Sequence, residues 1–182
     1  MANDAQGSLY VNIEGQIPTY STTVAAYSPY SSATDIVVLQ NPSTSTIIAK
    51  IAKIRISGTA SASSILTPYL YLRSALNTGG TSTVVADAPH DLIDVASQAN
   101  LSKYSAAPTL NGTAYLLRAD EIILANASTP VNGQEVDWIF GDVGNIKQIH
   151  VRPGQQLSIN LNGSVPSGSS LYLTIQWAEA PL

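Results

Sequence analysis

The chain is predicted to be all-β: an antiparallel β-sandwich of jelly-roll or Greek-key type, with about eight core strands and an extended N-terminal arm. The clearest support lies at the C-terminal end. Leu157, Ile159 and Leu161 alternate with Ser158, Asn160 and Asn162, and Leu171, Leu173, Ile175 and Trp177 alternate with Tyr172, Thr174 and Gln176. A period of two puts each apolar set on one face of a pleated strand, so both runs cover a core and turn a polar face away from it. Between them, Gly163 to Ser170 is a polar stretch of turn formers that reads as a connection. Further strand signals recur along the chain at spacings of roughly 8–12 residues with turn chemistry between them, the rhythm of a sandwich.

Residues 1–33 read as an extended arm preceding a β-sandwich domain at 34–182. Leu9, Val11 and Ile13 are in phase for a short strand; beyond them Tyr10, Tyr20, Tyr27 and Tyr30 lie among Ser, Thr and two prolines, with no helical periodicity. Tyrosines are large amphipathic groups suited to contacts, so these four are the candidate partner-contact residues. Two readings stay open: an arm laid over a neighbour, or an irregular segment packed on its own domain. The first predicts that removing residues 1–30 leaves a folded protein.

From Thr34 the elements follow in order. The run 35–39 (Asp-Ile-Val-Val-Leu) is a buried strand closed by Asn41-Pro42-Ser43. In 47–56 the phase slips, with Ile47, Ala49 and Ile51 on one face and Ala52, Ile54 and Ile56 on the other. That places a bulge or a crossing between sheets near Ile51-Ala52, with Lys50, Lys53 and Arg55 on the rim or outer face. Residues 66–72 form one strand with Leu66, Leu70 and Leu72 inward and Tyr69 and Tyr71 opposite, followed by an open loop at Asn77 to Gly80. Within 84–110, Asp91 is placed to cap a short helical turn carrying Leu92, Val95, Ala96 and Ala99. Strands resume at 113–117, 121–124, 136–140 and 147–151, before the closing pair.

Composition limits the function. At 182 residues the chain suits one domain, and a domain of this size buries about 70% of the surface its unfolded chain exposes. Charged residues make up 11% of the chain, against about 25% in ordinary soluble domains. Such a surface has little electrostatic protection against association and suits a fixed assembly. The net charge of −4 argues against a partner bound by phosphate neutralisation, so no nucleic acid is expected. No run approaches the ~20 apolar residues of a membrane span, so no membrane is expected either. Residues 1–7 carry no basic or apolar leader, which predicts assembly in a cytoplasm. There is no cysteine, which removes thiolate chemistry.

Chemical motifs are sparse. Asp87, His90, Asp91 and Asp94 offer four potential ligand groups, but no metal-site spacing, and a solvated capping loop explains them. His150 alternates with Ile149 and Val151 and is expected to face outward. Serines are abundant, but no nucleophile elbow orders a triad. Asp120 and Glu121 are neighbours and point apart on a strand; Glu135 and Asp137 share a face about 7 Å apart and solvate an edge. No catalytic, cofactor-binding or metal residue is therefore expected. Trp138, Tyr69 or Tyr71 would be the stacking platforms of a carbohydrate-binding alternative.

Several segments resemble small β-rich structural proteins of tailed bacteriophages. They are Thr34 to Leu39, Ala52 to Thr59, Leu72 to Ser74 with Gly79 to Ser82 and Pro89 to Asp91, Pro153 to Gly163, and Ser170 to Glu179. The resemblance implies a non-enzymatic virion protein, most like the jelly-roll decoration or cement proteins that sit as homotrimers on a capsid and bridge subunits of the major capsid protein. It carries no active site and no cofactor. A tail, collar or head-fibre-associated protein, including a host-surface binder, is the alternative.

Overall fold

The alternation along the closing runs is realised as two neighbouring strands that lie in different sheets. The computed structural model describes residues 17–129, 133–141 and 147–182. In chain order the strands are β1 (Thr19–Tyr27), β2 (Asp35–Gln40), β3 (Ile47–Ala60), β4 (Ser64–Leu66), β5 (Tyr69–Arg73), β6 (Thr81–Val85) and β7 (Ala88–Pro89). They continue as β8 (Asn100–Ala106), β9 (Ala114–Ala119), β10 (Ile122–Asn126), β11 (Val136–Ile139), β12 (Ile149–Val151), β13 (Gln156–Asn160) and β14 (Ser170–Pro181). Among the described residues there is no helix. An eight-stranded sheet runs β4-β10-β3-β14-β1-β7, with β11 and β12 also on β3; a six-stranded sheet runs β6-β8-β2-β13-β5-β9. The chain is thus an all-β sandwich.

The inward faces meet in one core. Ile51, Ile54, Ile56, Leu171, Leu173, Ile175 and Trp177 of the first sheet join Val37, Leu39, Leu70, Leu101, Leu157 and Ile159 of the second, all buried. Burying each such side chain contributes about 1.5–3 kcal/mol relative to exposure. The phase slip in β3 is a bulge: Gln176 pairs with Lys53 and Trp177 with Ile51, leaving Ala52 as the extra residue. That insertion keeps Ile51 and Ile54 both inward, and Lys53 and Arg55 line the outer face. A second bulge, at the Asn160 end of the β2–β13 pairing, lets Ile36 and Val37 both enter the core.

Two expectations need correcting. Leu66 and Leu70 do not share a strand: β4 lies in the eight-stranded sheet and β5 in the six-stranded sheet. Pro68 stands between them, where a residue without an N–H cannot continue a ladder. The helical turn expected after Asp91 is a single turn. Asp91 Oδ1 accepts the Ile93 N–H (3.1 Å), and the Asp94 N–H reaches the Asp91 carbonyl (3.0 Å), so the cap forms. No helix follows, because Leu92 and Val95 meet no core that would reward one.

The N-terminal segment is corrected too. Its described part is not an arm: β1 pairs antiparallel with β14 from Thr19–Ala178 to Tyr27–Leu171 and carries β7 on its other edge. Tyr20, Thr22, Val24 and Tyr27 are buried, and Tyr20 stacks on Trp177 at 5.7 Å between ring centroids. The tyrosines are amphipathic for an internal reason. The Tyr27 hydroxyl donates to the Tyr104 carbonyl (2.6 Å), and the Tyr30 hydroxyl donates to the Asp35 carbonyl (2.6 Å). Tyr10 lies outside the described residues.

The polar face of β13 also differs from expectation, since Gln156, Ser158 and Asn160 are buried. The connection 74–80 joins β5, near one edge of the six-stranded sheet, to β6 at the other edge, and 107–113 returns from β8 to β9. The two crossings pair through Thr78 and Thr109 and cover the outer face. Close approach there requires glycine: Gly80 (φ 69°) would place a Cβ 2.7 Å from the Ala106 carbonyl oxygen, and Gly112 (φ 68°) 2.7 Å from the Ala75 nitrogen.

Beneath this flap lies a buried ion pair. Asp35 accepts from Arg73 Nε (2.6 Å) and Nη2 (2.8 Å), Asn77 Nδ2 (2.8 Å), Asn160 Nδ2 (3.2 Å) and Gln156 Nε2 (3.3 Å). Gln156 Oε1 in turn accepts the Asn77 backbone N–H at 2.8 Å, which ties the flap to the sheet.

Two outcomes are expected. A chain lacking residues 1–30 loses β1 and shows no cooperative unfolding transition in calorimetry; a sharp transition in that truncation would contradict the integral role of β1. Asp35→Ala leaves the Arg73 guanidinium buried without its partner and lowers stability by about 3–5 kcal/mol in urea unfolding, whereas Asp35→Leu combined with Arg73→Met costs less.

Candidate functional site

Two surface features stand out from the folded frame: an apolar tip on the connection between β7 and β8, and a polar groove on the outer face of the eight-stranded sheet.

The tip includes Leu92 and Val95, which the spacing placed on a short helical turn, together with Ile93. Leu92, Ile93 and Val95 are 92%, 88% and 70% exposed. They are held out by a clamp on their own connection. The Tyr20 hydroxyl donates to the Val95 carbonyl at 2.6 Å. Glu179, buried near the end of β14, accepts the Gln98 N–H (3.0 Å), the Ala99 N–H (3.0 Å), the Ser97 hydroxyl and the Trp177 indole N–H (3.2 Å). The His90 N–H closes the near end onto the Thr19 carbonyl (2.8 Å). Burial, with the nearby carboxylates Glu179, Asp94 and Asp87 adding to it, pushes the Tyr20 phenol up to about 12, so it remains a donor at any physiological pH.

The acidic cluster expected at this connection does not converge. Among the described residues no three His or carboxylate side chains are placed to hold a metal ion. His90, Asp91 and Asp94 instead line a shallow cleft of about 260 Å³ with Ile17 and Thr19.

The groove follows the outward residues of β3 and β14. One hollow of about 200 Å³ is lined by Lys53, Arg55, Thr174 and Gln176. A second, of about 370 Å³, lies farther along the same strands between Ser57, Tyr172 and the segment carrying Gly133, Gln134 and Glu135. Pairing of Tyr172 with Ser57, Thr174 with Arg55 and Gln176 with Lys53 makes these one continuous face. Asp137 of β11 accepts Arg55 Nε and Nη2, each at 2.9 Å, and lies 3.0 Å from Lys53 Nζ. Glu135 stands 3.4 Å from Arg55 Nη2. Two cations and two carboxylates therefore balance. The guanidinium hydrogen bonds hold the Asp137 carboxyl down at about 2.

The aromatic platforms expected from the sequence lie elsewhere. Trp138 is buried, its indole N–H donating to Asp120 (2.6 Å), and Tyr69 and Tyr71 stack on each other at 6.4 Å. Tyr172, read only as the polar partner in an alternation, is the aromatic of the groove, 47% exposed. Its odd phase against Leu171 and Leu173 was the available signal. His150 sits opposite Lys50 on the outer face, and partial burial, followed by Lys147, Lys50 and Arg152, pushes its imidazole down from the ordinary value.

Both shifts set a pH dependence. A group whose value is lower in the folded state loses its contribution as pH falls from the unfolded value through the folded one. Stability is expected to drop below about pH 6.5 through His150 and again between about pH 4 and pH 2 through Asp137. Thermal unfolding of His150→Gln and Asp137→Asn checks this: each variant should flatten only its own window.

No family model, curated protein or solved structure matches this chain.

Proposed function

We propose that this protein is a non-enzymatic structural component of a tailed-phage virion: a capsid decoration, or cement, protein. It sits on the capsid surface as a homotrimer and bridges subunits of the major capsid protein after assembly in the host bacterial cytoplasm. The observation that carries the reading is the clamped apolar tip. Three large hydrophobic side chains held in water on an anchored connection cost solvation unless a partner covers them. Their anchors, Tyr20 and Glu179, belong to the sandwich itself, so docking the tip orders little that is not already ordered.

The rest of the molecule agrees with this use. The stiff two-sheet block transmits load between contacts, and the low charge lets its polar faces approach another protein without strong repulsion. Each contact is weak alone; repetition within an oligomer and across a shell converts weak contacts into tight decoration. As part of the same reading, we take the fold to be of the jelly-roll or Greek-key kind. β13 and β14 return after a long excursion to lie beside β2 and β3, a Greek-key-type return that supports it.

The tip is tested with capsids that lack the protein. Leu92→Ser combined with Ile93→Ser should fold with unchanged melting, because neither side chain packs on the core, yet decorate capsids at least about tenfold more weakly, as expected when two interface anchors are removed. Co-sedimentation reads the difference. Undiminished decoration by this double variant would remove the tip from the interface, and a monomeric mass in solution and on capsids would remove the trimer.

A further inference from the structure

We infer that the groove along β3 and β14 binds an uncharged oligosaccharide, with Tyr172 as its stacking platform. This goes beyond capsid docking and does not depend on it, since the groove and the apolar tip use different residues.

The first argument is charge. Lys53 and Arg55 line the groove, but Asp137 and Glu135 pair with both of them. An anion such as phosphate would have to compete with a bidentate carboxylate for Arg55, and a metal ion would meet two carboxylates already held by cations. The balanced charges favour a neutral ligand. Such a ligand must still offer many hydrogen-bonding groups, because Thr174, Gln176, Ser57 and Gln134 present hydroxyls and amides along the walls.

The second argument is shape. The lining residues of β3 run from Lys53 to Thr59, roughly 20 Å at the strand rise. That length accepts a short chain of sugar rings rather than one ring. A pyranose has apolar C–H faces and a polar hydroxyl rim. The ring of Tyr172 offers a flat apolar surface for the first. The Arg55–Asp137 pair is planar and already fixed, so its remaining lone pairs and N–H groups can meet adjacent hydroxyls with little loss of side-chain entropy. An extended peptide would find less here: β3 and β14 pair with each other along this stretch, with β11 beyond residues 53–56 of β3, β10 beyond Thr59 and β1 beyond β14, so little backbone edge is free.

The test applies the intact protein to a glycan microarray and carries the strongest glycan into isothermal titration. A neutral glycan should bind, and Tyr172→Ala should weaken it by about tenfold, while Tyr172→Phe retains the platform and the binding. Far-ultraviolet dichroism of the variants should match the parent, as Tyr172 faces away from the core. Raising salt from about 0.05 M to about 0.5 M should leave the affinity unchanged, because no net charge is neutralised. A blank array overturns the inference, as does affinity indifferent to Tyr172→Ala. Binding confined to acidic glycans and lost with salt also overturns it. None of these results bears on the Leu92/Ile93 variant, so the groove and the capsid reading stand or fall separately.

Discussion

The Asp35–Arg73 ion pair is the constraint on which the six-stranded sheet depends. A carboxylate taken out of water costs several kcal/mol unless its lone pairs are filled, and here five N–H groups fill them, from Arg73, Asn77, Gln156 and Asn160. These donors come from β5, β13 and the crossing connection 74–80, so satisfying one charge fixes the relative position of all three. The flap cannot lift without exposing Gln156 Oε1 and the Asn77 amide that closes on it. A hydrophobic replacement of similar volume would hold the layers together, but less selectively. The pair supplies register where the surrounding flap is short and irregular.

That arrangement explains which parts of the fold the sequence reveals. Core-facing positions follow from alternation alone, because water sorts apolar from polar side chains on a strand: Leu157, Ile159, Leu171 and Ile175 are where the pattern puts them. The bulge at Ala52 is legible for the same reason, since only an inserted residue reconciles Ile51 and Ile54. Alternation has nothing to say about what covers the other face. Ser158 and Gln156 look solvent-facing in sequence and are buried by segments 74–80 and 107–113, distant in the chain. β1 was hidden by composition: Tyr20, Thr22 and Val24 alternate too weakly in hydrophobicity to declare a strand, and their role emerges only through pairing with Trp177 and Ile175.

The candidate surfaces were legible in the opposite sense. Leu92 and Val95 at helical spacing suggest a short helical turn, and Trp138 a stacking platform; the first two stand exposed on a single turn, and the third is buried. Local spacing reports what a segment can form, whereas exposure is decided by whatever long-range partner arrives. For Trp138 that partner is Asp120, whose carboxylate fixes the indole N–H. For the tip it is Glu179, an acid eighty residues farther along the chain that captures Gln98 and Ala99 and so directs the preceding apolar residues outward.

β14 unites these features, and the physics of one strand accounts for their separation. Glu179 faces inward beside Trp177 and clamps the tip; Tyr172, of opposite parity, faces outward in the groove. Seven residues separate them, roughly 23 Å along the strand. The pleat therefore turns Tyr172 and Glu179 to opposite faces of β14, near its two ends. A ligand on Tyr172 would not obstruct a partner on Leu92 and Ile93. Between the two positions Leu173 and Ile175 are locked into the core, on a strand held between β1 and β3. The parity of one strand is thus enough to serve two surfaces of different chemistry, a polar groove beside Tyr172 and an apolar tip held by Glu179.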